Sequence, residues 1–479
     1  MSILAFFRSR GFRLGLFGLG LATLGLGAGL YWAIFAQVVN DDRGFENTLK
    51  IPPLMQFEEP EKGTKAFDLV VSKGITEFFD GKPTETWGVN GAYLGPTIRA
   101  KKGERLILKV RNLLDEATTM HWHGMHVPAA MDGTPHQNID PGEEWTADYR
   151  VTQEAGTMWY HPHAHGRTAT QVYRGIAGLI YLDDDNSEGL DLPSEYGVDD
   201  IPLVIQDRLF GEDGSMRYQI RSGAYYGDEI LVNGTHDPHV EVEARKIRFR
   251  ILNGSNARIY HFGFTDGRRF QQIATDGGFL EAPVDTDRAR LAPGERVEIV
   301  VDFSDGESCV LRSFPEGPLW DAVGGLSGRT MNQQFDIIEM RVKPATRESH
   351  RIPEKLNTIA RLKREDADKE RPMVMGGMVI NGKSMNMMRI DERIQLGDTE
   401  VWRVQNVTGR SHPFHVHLVQ FLVLDRNGRP PSPLEAGWKD TVLLHSGDAV
   451  NIIMKFDQYA DPKVPYMYHC HILEHEDMA

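Results

Sequence analysis

The stretch Arg105-Leu-Ile-Leu-Lys-Val-Arg-Asn112 sets Leu106, Leu108 and Val110 against Arg105, Lys109 and Arg111. Side chains on an extended strand project to opposite faces in turn, so this period of two predicts a half-buried β-strand. An Asn90-Gly91 turn precedes it, and the same dipeptide recurs at Asn233-Gly234 and Asn381-Gly382, at spacings of 143 and 148 residues. Each is followed by a strand that ends in asparagine, at Asn112, Asn253 and Asn406, after 22, 20 and 25 residues. Self-similarity of this kind marks three copies of one unit. Units rich in short strands and turn residues, with long amphipathic helices hard to find, fit antiparallel β-sandwiches. The expected fold is all-β, with three sandwich domains at residues 66–190, 191–345 and 346–479. A Pro- and charge-bearing linker is expected at 44–65.

The chain of 479 residues is long enough for three separate hydrophobic cores. Its formal charge of -15, with no basic cluster outside the N-terminus, argues against a nucleic-acid partner. Two cysteines, Cys309 and Cys470, offer no disulfide framework. Arg8, Arg10 and Arg13 precede an uncharged run from Leu14 to Val39, and Asp41 and Asp42 follow it. As a helix that run would rise roughly 39 Å, against a bilayer core of about 30 Å. Residues 1–43 are therefore expected to form a membrane anchor or signal segment, with Ala36 as the small residue a cleavage site would use. The arginines would stay in the cytoplasm, placing the globular part on the periplasmic or other extracytoplasmic side.

The repeat also organises the histidines. His121 and His123 follow Asn112 by 9 and 11 positions, and His415 and His417 follow Asn406 by the same 9 and 11. The second repeat offers only His261, read as an ordinary histidine. Tyr160 precedes His161-Pro162-His163, and Tyr468 precedes His469-Cys470-His471. Eight imidazoles from repeats one and three can converge on one cluster, and neutral imidazole is a good copper ligand. Strand alternation turns Cys470 away from its neighbours, and His412 and His475 lie within the same repeat as candidate partners. Two imidazoles and a thiolate are the ligand set of a blue-copper electron-transfer centre. Covalent bonds then link that thiolate to His469 and His471 over a path on the order of 10 Å.

His121-Trp-His-Gly, His161-Pro-His-Ala-His-Gly, His412-Pro-Phe-His-Val-His and His469-Cys-His-Ile-Leu-Glu-His475 resemble the four copper motifs of the multicopper oxidases. The likeness runs from about residue 66 to residue 479. Trp438-Lys439-Asp440 and Asp276-Gly277-Gly278 look most like three-domain bacterial members, the periplasmic copper efflux oxidases and bacterial laccases. That resemblance implies three cupredoxin-like Greek-key domains, the middle one without copper, and four copper ions. It assigns type 1 copper to His412, Cys470 and His475, and type 2 copper to His121 and His415. The type 3 pair falls to His123, His161, His163, His417, His469 and His471. The implied reaction couples four one-electron oxidations to reduction of O2 to two waters. Asp132 and Glu476 match family carboxylates that handle its protons. The family's axial type 1 position comes ten residues after the cysteine, which here would be residue 480; Met478 is two residues early.

The small reducing substrate is read two ways. Met373, Met375, Met378, Met385, Met387 and Met388 crowd into sixteen residues, and thioethers suit Cu(I). The cuprous oxidases, however, place Asp and Met four and two residues before the first type 1 histidine, where this chain has Thr408 and Arg410. A metal ion on one side, and phenols or aromatic amines of laccase type on the other, are both expected donors. The non-enzymatic alternative is an exported scaffold of cell-division or envelope type, which the complete ligand set disfavours. A copper nitrite reductase would lack the eight-histidine cluster. His126, His136, His165, His236, His239, His350 and His445 are read as surface residues or supports behind the ligands, with His136 and His165 as candidates to orient them. The oligomeric state is left open.

Overall fold

Strands account for 46% of the chain and helices for 7%, in line with the all-β expectation. The computed structural model describes residues 44–221, 223–315 and 334–478, so the hydrophobic span at 14–39 lies outside the described residues. No helix among the described residues is long and apolar enough to cross a membrane.

The strands form three successive pairs of sheets. Thr64–Phe79, Lys82–Val89, Arg105–Asn112 and Glu144–Arg150 make one four-stranded sheet, which faces a second built from Ile98–Lys101, His121–His123, Gly156–His161 and Gly178–Asp183. A six-stranded and a seven-stranded sheet follow, drawn almost wholly from residues 200–343. The last pair sets Lys369–Met375, Thr399–Asn406, Phe421–Arg426 and Ala449–Lys455 against His412–Val416, Thr441–Leu444 and Tyr468–Cys470. Each pair closes on its own apolar cluster, around Leu108 and Trp122 in the first, Phe249 and Ile299 in the second, and Trp402 and Phe414 in the third. In Arg105–Asn112 the apolar set Leu106, Leu108 and Val110 is fully buried, as its alternation predicts.

The asparagines that reveal the repeat do the same work three times. Asn90, Asn233 and Asn381 all have positive φ, between 51° and 53°. Each amide spans two strand residues: it accepts from Val70, Val204 or Val374 N–H and donates to the carbonyl of Asp68, Pro202 or Pro372. Asn tolerates this left-handed geometry because its short amide bonds locally. Asn112, Asn253 and Asn406 are fully buried and each donates to two or more loop carbonyls, among them Ile139, Leu291 and Leu444. In the first and third sandwiches those bonds hold the segments that lead into the histidine pairs.

The segment expected as a linker is tied down at both ends. Asn47–Thr48 adds a parallel edge to Pro238–Glu243 of the central sandwich, while Leu54 bridges Thr97 and Glu58 bridges Ala66 of the first. It is a strap across two sandwiches rather than a free connector.

Candidate metal centre

Two hairpin-like pairings present the histidines. In the first sandwich His121 lies opposite His161 and His123 opposite Trp159. In the third, His415 lies opposite His469 and Phe414 opposite Cys470. Alternation therefore sends Trp122 and Tyr160, and likewise Phe414 and Cys470, into their own cores, while the histidines face the neighbouring sandwich.

All eight rings meet in the buried space between the first and third sandwiches. His161 Nε2 and His471 Nε2 approach His123 Nδ1 at 3.4 and 3.3 Å. His163 Nε2 and His417 Nε2 approach His469 Nε2 at 3.2 and 3.1 Å. The remaining two rings stack on partners from the opposite sandwich, His121 on His417 at 4.0 Å and His415 on His123 at 3.8 Å. Their Nε2 atoms are buried and make no hydrogen bond.

Seven of the eight rings turn the outward nitrogen onto an oxygen. His121, His161, His415 and His469 donate from Nδ1 to the carbonyls of Asp132, Pro162, Asp440 and Cys470 at 2.8, 2.7, 2.8 and 3.0 Å. His417 Nδ1 donates to Asp132 Oδ2 at 2.9 Å and His123 Nε2 to Asp440 Oδ1 at 3.0 Å. His163 Nδ1 lies 3.0 Å from Glu476 Oε1, and His469 Nδ1 lies 3.4 Å from Glu476 Oε2. These bonds fix the tautomers and leave lone pairs pointing inward. Burial, reinforced by neighbouring rings, holds His123, His161, His163, His415, His417 and His471 well below the ordinary imidazole range, and His469 falls to about 4. Neutral rings with facing lone pairs about 3 Å apart repel one another unless a cation lies between them. The donor set thus fits imidazole-bound metal ions in two threefold groups, His123-His161-His471 and His163-His417-His469, with His121 and His415 at a further position.

A second site lies on the other face of the same strand. Cys470 Sγ is 3.4 Å from His412 Nδ1 and 3.6 Å from His475 Nδ1. Burial pushes the Cys470 thiol up to about 12 and brings His412 down to about 4 and His475 to about 3, with the Arg410 charge adding to both histidine shifts. A thiolate here needs a bound cation to stabilise it. Met478 ends the short helix Leu473–Met478 half exposed, at 48%.

The supports behind the rings differ from those expected. His136 donates to or accepts around Thr134 and reaches the Met387 carbonyl at 3.0 Å, while His165 is exposed, so neither orients a ligand. Asp132, Asp440, Glu476 and four backbone carbonyls do so instead. Asp440 is itself held by Arg296, whose guanidinium donates to both its oxygens at 2.8 and 2.6 Å and to the carbonyls of Thr157, Gly294 and Asp276. Arg296 comes from the central sandwich, which contributes none of the eight clustered rings. Trp159 stacks on His161 at 4.0 Å, and a Cβ added at Gly294 would lie 3.0 Å from the His471 ring. Of the methionine run, Met373 and Met375 are buried in the third core and Met388 is 93% exposed.

Sequence models described as multicopper oxidase match residues 71–187, 203–309 and 351–479. The chain is 36% identical to the multicopper oxidase mco of Staphylococcus aureus over 454 residues, 92% of each protein. It is 35% identical to the cell division protein FtsP of Dickeya dadantii over 443 residues, 91% of each. Among solved structures it resembles the laccase-like multicopper oxidase CueO of Ochrobactrum sp., with a TM-score of 0.81 and 36% identity, covering 90% of this chain and 98% of that one. With its three sandwiches, its histidine cluster and these relatives, the chain belongs to the multicopper oxidase family.

Proposed function

We propose that this protein couples four one-electron oxidations of a small reducing substrate to the reduction of one O2 to two H2O. The supporting observation is the position of Cys470, whose thiol lies with His412 and His475 while both its chain neighbours belong to the eight-ring cluster. His412, Cys470 and His475 would hold a type 1 copper, His121 and His415 a type 2 copper, and His123, His161, His163, His417, His469 and His471 a type 3 pair. Bound there, copper supplies one-electron redox chemistry beside the thiolate and dioxygen reduction at the cluster.

The chain's own groups do the rest. Burial shields both groups from bulk water, and the seven fixed tautomers keep their inward nitrogens available. Asp132 touches His121 from the first sandwich and His417 from the third, and Glu476 lies between His163 and His469. These two carboxylates are assigned to hold and deliver the four protons that each O2 consumes.

For the donor, the reading favours phenols or aromatic amines over Cu(I). Thr408 and Arg410 replace a carboxylate and a thioether beside His412, and two of the six clustered methionines are core residues. The Ochrobactrum relative is described as having oxidase activity towards lignin model compounds and lignosulfonate. The N-terminal span at 14–39 would deliver the protein to the periplasmic side of the membrane. Copper per chain, with O2 uptake against a phenol, Cu(I), Fe(II) and Mn(II), tests the proposal. Four coppers and a phenol preferred in kcat/KM are expected; no copper and no uptake would leave the exported-scaffold reading, which the FtsP likeness favours.

A further inference from the structure

The first two sandwiches share an arrangement of three strands from which the third departs. In the first, Ile98–Lys101 runs parallel to Gly178–Asp183, which pairs antiparallel with Gly156–His161. In the second, Pro238–Glu243 runs parallel to Phe335–Lys343, which pairs antiparallel with Cys309–Ser313. In the third, residues 389–394 begin 8 positions after Asn381, as Ile98 follows Asn90 by 8, and Tyr468–Cys470 matches Gly156–His161 through Tyr468 and Tyr160. Among the described residues no strand joins those two segments. Residues 389–394 are irregular, and Tyr468–Cys470 is a sheet edge, paired with His412–Val416 alone.

A cavity of about 450 Å³ is lined by both segments. Bonds from His417 N–H to the Met467 carbonyl and from His471 N–H to the Pro413 carbonyl commit the odd-numbered residues to the neighbouring strand. The N–H groups of Tyr468 and Cys470 therefore turn away from that strand. The apolar cover is incomplete in the same place. Tyr160, Ile98 and Ile180 are fully buried in the first core, whereas Tyr468, Ile394, Phe456 and Tyr466 are only half-buried against the third and line the cavity. On its wall Asp391 is paired with Arg389 and Lys383, and Glu392 with Arg371, so neither carboxylate calls for a cation. An edge of this kind, with backbone groups to pair and an apolar floor beside it, is a template for another strand.

We propose that this slot binds an extended peptide strand donated by a different polypeptide, with apolar residues at alternate positions, antiparallel to Tyr468–Cys470 and parallel to residues 389–394. Gly178–Asp183 shows the fit in the first sandwich: Ile180 and Leu182 enter the core while the backbone pairs with a strand on each side. The donated strand supplies the same two things to the third core. Cys470 and His475 line the same cavity, so the strand also lies against the second site and sets solvent access to it. The binding rests on the sheet geometry alone; only its bearing on electron entry rests on the oxidase reading above.

The copper-free full chain is titrated with a fluorescein-labelled peptide of the sequence of residues 178–185, GLIYLDDD, and followed by anisotropy and hydrogen exchange. The peptide should saturate at one per chain and slow exchange at the Tyr468 and Cys470 amides by at least about tenfold. The same peptide carrying Ile180→Pro and Leu182→Pro lacks two backbone donors and should not bind. In the chain, Ile394→Lys puts a charge on the apolar wall and should weaken binding by at least about tenfold, with the far-UV circular dichroism unchanged. Three results would each overturn the proposal. Amides at Tyr468 and Cys470 that exchange slowly before peptide is added would show an edge already covered. Dimers in sedimentation that the peptide dissociates would give the slot to a second copy of this chain. Equal binding of the proline peptide would reduce the contact to general apolar adhesion. Because binding is read without copper or donor, failure of the oxidase reading would leave this result standing.

Discussion

The guanidinium of Arg296 grips the carboxylate of Asp440 in a two-pronged bond, and both side chains are buried to within 2%. Through Asp440 this single residue of the central sandwich reaches one ring from each of the others: His123 by the carboxylate and His415 by the backbone carbonyl. Removing Arg296 leaves a buried carboxylate without its countercharge, a change that costs about 3–5 kcal/mol. Arg296→Met should lose stability on that scale in urea unfolding of the copper-free protein and should bind fewer coppers per chain. Arg296→Lys keeps the charge without the fork and should fall between. Wild-type values for both would reject the linkage.

Asp132→Asn preserves shape and a hydrogen-bond acceptor for His417 Nδ1 but removes an ionisable group from the cluster. Oxygen consumption should fall by at least about tenfold, given the usual size of general acid contributions. Anaerobic bleaching of the type 1 colour by a phenol should proceed at the wild-type rate. Glu476→Gln should behave alike, and stopped-flow reduction beside an oxygen-electrode assay separates the two halves of the reaction.

The copper-free protein should lose stability steeply as pH falls below about 6.5. Nine of the clustered histidines have folded values depressed by burial: six lie well below the ordinary range, with His412 and His469 at about 4 and His475 at about 3. Between the unfolded and folded values only the unfolded chain takes up protons, so acid favours unfolding. Burial raises Glu476, and lifts Asp276 and Asp477 to about 6; these act with the opposite sign but are fewer. Thermal midpoints from pH 8 to pH 5 should drop progressively without copper and much less with it. A flat profile would contradict the buried, neutral cluster.

Both cysteines should be silent toward thiol reagents in the folded copper-free protein. Burial lifts Cys309 and Cys470 alike to about 12, far above the pH at which a free thiol reacts. At pH 8 a disulfide-exchange reagent should find no thiol before unfolding and two after it. Cys470→Ser should remove one copper and the intense thiolate absorption while the cluster keeps its metal.

The grouping of these histidines and Cys470 was legible in the sequence because two rules place them. Strand alternation separates Cys470 from His469 and His471, and the repeat puts His121 and His415 at equal distances from buried asparagines. Arg296 and Asp440 obey neither rule. Their bond joins residues 144 apart, and arginine and aspartate in strand-rich sequence read as surface charge unless their partner is known. The same reasoning explains His136 and His165: proximity in sequence to ligands suggested orienting roles, but backbone carbonyls and carboxylates, which carry no sequence signature of direction, took them. Of the methionine run, strand burial places Met373 and Met375 in the third core, one of the two outcomes that composition alone left open.

The cluster's ring contacts join distant parts of the chain: His163 and His469, 3.2 Å apart, are separated by 306 residues. Contacts of such range carry a large loop-closure cost, and each sandwich has its own apolar core to form without them. Metal bound across that cluster would therefore also report on tertiary assembly. A molecule whose first and third sandwiches have docked wrongly can look folded by secondary structure, yet it has no complete cage to fill, and the metal content of a preparation reports the fraction of chains correctly put together.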